Sequence, residues 1–219
     1  TLSRQLGDMR HLSKAHLLLG RINEGKSLWE LAREEYEKSL GASREAGDMA
    51  LTIPARRGLG RIQWRTGDLD GALKAFNECL KDAGVGGDQD MVLSLLVDIG
   101  NVYDEMGELD KSIQHYAQAA QYAKQNSDVH EYLRIQNNMA SAYTFNGDYR
   151  MGIETAQEVV ELTEESGEDV DRAHAVATLA YAYAKVGEGH KAIRYAEDGI
   201  LFFKKMSDPT MLGGCYLYL

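Results

Sequence analysis

One interval governs this sequence. The phrase Gly107-Glu108-Leu109-Asp110-Lys111-Ser112-Ile113 recurs 40 residues earlier as Gly67-Asp68-Leu69-Asp70-Gly71-Ala72-Leu73. It recurs at the same interval downstream as Gly147-Asp148-Tyr149 and Gly187-Glu188. A worn copy, Ser27-Leu28-Trp29-Glu30-Leu31-Ala32, keeps the register but has lost the glycine. A second marker has the same period and is independent of the first: Gly7-Asp8, Gly47-Asp48, Gly87-Asp88, Ser127-Asp128, Gly167-Glu168 and Ser207-Asp208. Two markers in constant phase mean a repeat without insertions. A period of roughly 20–50 residues is the signature of an array in which each unit buries its apolar face only against its neighbours.

The markers punctuate helices. A glycine ends one helix through a left-handed residue, and the acid after it accepts from the free N–H groups of the next. Asp208-Pro209 has the same form, with proline at the first helical position, where its missing N–H costs nothing. First helices are thus expected at about 9–24, 49–65, 89–105, 129–145 and 169–185, and second helices at about 28–45, 68–84, 108–125, 148–165 and 188–206. In the clearest unit, Leu96, Ile99, Gly100 and Tyr103 share one stripe of the first helix, and Ile113, Tyr116, Ala119 and Ala120 one stripe of the second. Small residues opposite large ones let the two helices approach closely.

The series Ile99-Gly100, Tyr103, Gly107, Ser112, Tyr116 and Ala119 resembles the tetratricopeptide repeat. Leu19-Gly20 with Ala32 and Tyr36, Leu59-Gly60 with Ala72 and Phe76, Met139-Ala140 with Tyr143, and Leu179-Ala180 with Tyr183 and Ala192 repeat the pattern. The resemblance implies an all-α fold, a right-handed α-solenoid of helix-turn-helix repeats at about 9–47, 48–87, 88–127, 128–167 and 168–207, with partial repeats at 1–7 and 208–219 of a longer chain. The common repeat has 34 residues and a closing proline, whereas this one has 40 and no such proline. The longer second helix ending in Gly-Asp is similar to the repeats of Pins-type polarity scaffolds and rapsyn.

Composition narrows the function. Only two prolines, 44% apolar and 26% charged residues suit a folded helical chain. A net charge of −10 argues against a nucleic-acid partner, since phosphate attraction needs a basic surface. Two cysteines form no disulfide framework, and neither a signal peptide nor an apolar run of transmembrane length is visible, which points to the cytoplasm without membrane insertion. The apolar segment Met211–Leu219 is expected to favour weak self-association through an open solenoid end.

No catalytic, metal or cofactor constellation emerges. His130-Glu131 begins like a zinc-protease motif but has Arg134 at the second ligand position, and Gly84-Val85-Gly86-Gly87 lacks the Lys-Ser/Thr of a phosphate loop. The expectation is therefore a non-catalytic scaffold that binds a protein or peptide segment in the concave groove; the alternative is a structural or sensor module within a larger regulator. The resemblance implies that groove positions lie two, six and ten residues before each phrase glycine. They include Arg21; Arg57, Arg61 and Arg65; Asn101; Asn137, Ser141 and Phe145; and Tyr181 and Lys185, with Arg134 one turn back and Trp64 adjacent. Arg57, Arg61 and Arg65 form a stripe suited to an acidic partner segment, unless Asp98, Asp104 or Glu105 of the next repeat neutralises it. Asn101 and Asn137 could clamp a peptide backbone, an amide being both donor and acceptor. The chaperone-type carboxylate clamp is not matched, Leu17 and Arg21 standing where its Lys and Asn would be.

Overall fold

The computed structural model describes residues 2–166 and 169–206, with side chains from 7 to 164 and from 170 to 204. The described residues form α1 (Leu2–Gly25), α2 (Trp29–Glu45), α3 (Met49–Arg65), α4 (Leu69–Gly86), α5 (Gln89–Glu105), α6 (Leu109–Gln125), α7 (Val129–Phe145), α8 (Tyr149–Ser166), α9 (Asp169–Lys185) and α10 (Gly189–Met206), with no strand. It is an all-α helical-repeat solenoid. Helix boundaries follow the 40-residue markers within a residue or two, except at the start. There α1 runs unbroken through Gly7-Asp8, where the sequence predicts a turn. An isolated glycine costs a helix only about 1 kcal/mol, too little to break it by itself. The expected features at Gly167-Glu168, Ser207-Asp208 and 208–219 lie outside the described residues.

The punctuation works through the backbone. Gly47, Gly67, Gly87, Gly107, Gly147 and Gly187 all have positive φ, and so do Ser27 and Ser127, at 57° and 56°. The residue after each donates its N–H across the helix end, as Asp68 does to the Gln63 carbonyl at 2.9 Å and Glu108 to that of Tyr103 at 2.9 Å. This six-to-one closure is the Schellman arrangement. The next helix is then capped by the acid: Asp68 accepts from the Gly71 N–H at 3.0 Å, Asp88 from that of Met91 at 3.0 Å and Asp128 from that of Glu131 at 3.0 Å. Leu28 and Glu108 cap nothing with their side chains, so those two turns depend on the backbone alone.

The chain divides into two compact units, 1–102 and 103–219, with the boundary inside α5. In the first, α2 packs on both α1 and α3, and α3 on α4. Its centre is Tyr36, fully buried with Ala32 and Ile62 and flanked by Leu17, Trp29 and Leu59. Two glycines admit the ring. A Cβ on Gly20 or on Gly58 would lie 2.6 Å from Tyr36 ring carbons, so both helices beside α2 need a hydrogen there. Gly60 plays the same part for the buried Phe76. Ser13 and Ser39, both fully buried, donate their hydroxyls to each other's backbone carbonyls at 3.0 and 2.9 Å.

In the second unit, α7 packs on α6, α8 and α9, and α9 on α8 and α10. Leu133, Ala140, Ala156, Val159, Ala175, Leu179, Tyr183 and Ala192 make its core, alternating aliphatic bulk with alanine. Tyr116, Ala119 and Ala120 are buried as the α6 stripe predicts.

Candidate functional site

In the first unit, the α3 arginines lie 4 residues apart on one face, a spacing at which like charges repel. The fold neutralises two of them. Arg57 donates its Nε–H to the Asp98 carboxylate at 2.6 Å, and Asp98 is itself buried. Arg61 makes a two-pronged contact with Glu24 of α1, through Nε at 2.7 Å and Nη2 at 2.6 Å. Tyr36 reaches the same carboxylate, its hydroxyl donating at 2.5 Å.

Electrostatics follow from this geometry. Burial works against ionisation of Glu24, but hydrogen bonds from Arg61 and Tyr36 outweigh it and hold its carboxyl below the usual range. Burial, and then the hydrogen bond to Glu24 and its charge, push the Tyr36 phenol well up. Arg61 is likewise held charged, burial opposing and Glu24 prevailing. The Asp98 partner was legible from the repeat register. Glu24 was not, because it stands 37 residues before Arg61 in the preceding repeat, where no motif marks it.

Arg65 keeps its charge exposed, stacked on Trp64 with its guanidinium 4.3 Å from the ring centroid. With Arg21, also exposed, it opens onto a cleft of about 580 Å³ that Glu24, Ser27, Trp29 and Arg61 complete. The early position of the repeat, Arg56, is taken up by an ion pair with Asp82 of α4. Asn101 is half-buried near the end of this unit.

The second unit treats its groove positions differently. Asn137 is buried, and its amide nitrogen donates to the Asp171 carbonyl at 3.1 Å and carboxylate at 3.2 Å. Its donor half, expected to face a peptide, is thus spent inside the fold. Ser141 lies 3.4 Å from the Thr178 hydroxyl, and Arg134 is paired with Glu131 one turn back on its own helix. Phe145 projects outward, two-thirds exposed, and its ring lies 5.7 Å from that of Tyr181. Lys185 sits over the other aromatic, its Nζ 5.1 Å from the Tyr181 centroid. The result is an exposed apolar platform with one cation beside it. Among the described residues, no group of three metal-ligating side chains occurs, and no helix is long and apolar enough to cross a membrane.

No curated protein sequence matches this chain. Among solved structures, it is similar to the nearly identical TPR-like repeats of a putative kinesin light chain from Podosopora anserina, at 17% identity and a TM-score of 0.75, covering 90% of this chain and 98% of that one. The STAND protein PH0952 from Pyrococcus horikoshii, an ATPase with a tetratricopeptide repeat sensor, aligns at 18% identity and a TM-score of 0.82, over 96% of this chain and 33% of that one. The Rap conjugation gene regulator of plasmid pLS20, in complex with the Phr* peptide, aligns at 14% identity and a TM-score of 0.68, over 88% and 53%. At these identities the likeness is one of fold. Family models of the tetratricopeptide repeat match residues 11–83, and again 93–126 and 133–166. The match is to the repeat as a whole and does not single out the Pins-type or rapsyn subclass. With the repeat matched over most of its length and the helix pairs in register, the chain belongs to the tetratricopeptide repeat family.

Proposed function

We propose that this chain is a cytoplasmic, non-catalytic scaffold that holds a segment of another protein against the exposed side chains of its first helices. The observation that carries this reading is the cleft of the first unit, where Arg21 and Arg65 stay exposed beside an apolar Trp29 wall while Arg57 and Arg61 are neutralised from within. Unpaired guanidiniums beside aromatic surface are the composition of an anchor for an acidic segment. Phe145, Tyr181 and Lys185 offer the second unit a matching apolar anchor with a cation. Asn101 on α5 of the first unit and Ser141 on α7 of the second, both half-buried, are further contact positions, each within its own unit. Asn137 and Arg134 are held within the second unit by Asp171 and Glu131 and act by fixing its first helices. The pLS20 regulator, which binds a peptide on a similar fold, supports a segment as the ligand.

Selecting peptides from a random display library on the purified chain tests this. Enriched peptides should lose affinity by about 1–3 kcal/mol on Arg65→Glu or Phe145→Ala and be indifferent to Lys74→Ala on a second helix. An empty selection, or binding that ignores the first-helix variants, would sink the reading. A second reading, a sensor module within a larger regulator, is favoured by the alignment to a third of a STAND protein. A nucleotide-binding motif elsewhere in the full-length gene product would decide for it.

A further inference from the structure

The cleft between α1 and α3 combines a cavity, uncompensated charge and one aromatic wall, Trp29. Three guanidiniums, of Arg21, Arg61 and Arg65, face one carboxylate, that of Glu24. Two positive charges are left over. Arg61 is not one of them, since both prongs of its fork are held by Glu24. Arg57 contributes none either, being committed to Asp98. The free charges belong to Arg21 and Arg65, neither of which has a carboxylate partner among the described residues.

We infer that this cleft binds a doubly charged oxyanion on the partner polypeptide, either two adjacent carboxylates or one phosphate, with Arg21 and Arg65 as the contacting cations and Glu24 as the built-in carboxylate that sets the charge requirement. The inference rests on the reading of a partner segment held by the first helices. A singly charged group entering the cleft would leave one guanidinium partly desolvated and uncompensated, which is costly. Arginine forks match both carboxylate and phosphate oxygens, so the geometry accepts either source. Glu24 already occupies the place of one ligand acid against Arg61, and its removal would raise the demand for negative charge.

The chain carries its own reporter, because its two tryptophans are Trp29 in the cleft and Trp64 beneath Arg65. Tryptophan emission of the full chain would be followed during titration with four capped peptides: Glu-Glu, phosphoserine, Glu-Gln and Gln-Gln. A saturable change is expected with Glu-Glu or phosphoserine, about tenfold weaker with Glu-Gln, absent with Gln-Gln, and lost at high salt. Whichever doubly charged probe binds more tightly names the source. The double variant Arg21→Gln/Arg65→Gln should abolish the response, and Glu24→Gln should tighten it about three- to tenfold by releasing Arg61. Both substituted arginines are exposed, so the double variant stays informative even if Glu24→Gln does not fold. A silent emission with both doubly charged probes, an equal response to Gln-Gln, or binding that survives in the double variant would overturn the inference. If library peptides depend on Phe145 but not on Arg21 or Arg65, this inference falls and the scaffold reading stands; an empty library fells both.

Discussion

Ser27 shows how strongly the fold imposes a backbone conformation on a residue that dislikes it. It occupies the place of a phrase glycine and still adopts φ 57°, a region that crowds the Cβ of any L-residue by about 1–2 kcal/mol. Ser27→Gly is therefore expected to stabilise the protein by about 0.5–1 kcal/mol, less than the full strain because glycine also loses more entropy on folding. A thermal melt would show a rise of a few degrees; an unchanged or lower midpoint would mean the turn is unstrained. Glu24 makes a second residue-scale case. Its folded-state pKa is depressed, so its ion pair contributes stability above the unfolded carboxyl range and loses it as pH falls through the folded value. Glu24→Gln should cost about 2 kcal/mol near pH 6, with Arg61 left half-buried and unpaired. The gap between wild type and variant should close in urea titrations as pH falls from the ordinary carboxyl range through the lower folded-state value. A gap that stays constant over that range would mean the carboxylate charge is not what matters.

At the scale of the element, α2 is fixed by what its neighbours lack. Tyr36 projects between Gly20 of α1 and Gly58 of α3, and each glycine lets a helix close onto the ring. Gly58→Ala would put a methyl 2.6 Å from the Tyr36 ring, forcing α2 and α3 apart. A cost of about 1–3 kcal/mol is expected from overpacking, outweighing the gain in helix propensity. The same substitution at Gly41, where a Cβ meets nothing within 4 Å, should be neutral or stabilising. Denaturant midpoints for the two variants would check this, and equal shifts would argue against ring contact as the cause. Gly20 could be read from the repeat pattern. Gly58 could not, since it serves the preceding repeat's ring and its role appears only when neighbouring hairpins are stacked.

Among the described residues, the main helix contacts within each unit run between helices adjacent in sequence or one helix removed. Such arrays behave nearly one-dimensionally, each repeat's stability depending on its own packing and that of its neighbours. Tyr36→Ala removes a fully buried aromatic and should cost about 3–5 kcal/mol locally. Hydrogen exchange should accelerate strongly in α1–α3 and little in α8–α10. Uniform acceleration along the chain would show that the array opens as a single cooperative body instead.

The sequence by itself determined the helices, their order and their ends, because the 40-residue period, the left-handed turn residues and the capping acids are all local instructions. It also placed most of the exposed candidates, Arg65, Phe145 and Lys185 among them, since helical phase alone sets which way they face. Only the tertiary structure decided which charges remain free. Arg57 and Arg61 share the spacing of Arg65, yet Asp98 and Glu24 reach them from α5 and α1, 41 and 37 residues away along the chain. Asn137 likewise carries the groove register but turns its amide to Asp171 of α9, because a buried donor must find an acceptor within the stack. Pairing of this kind depends on distances between helices, and those are set by how ring, glycine and alanine surfaces fit together across neighbouring repeats.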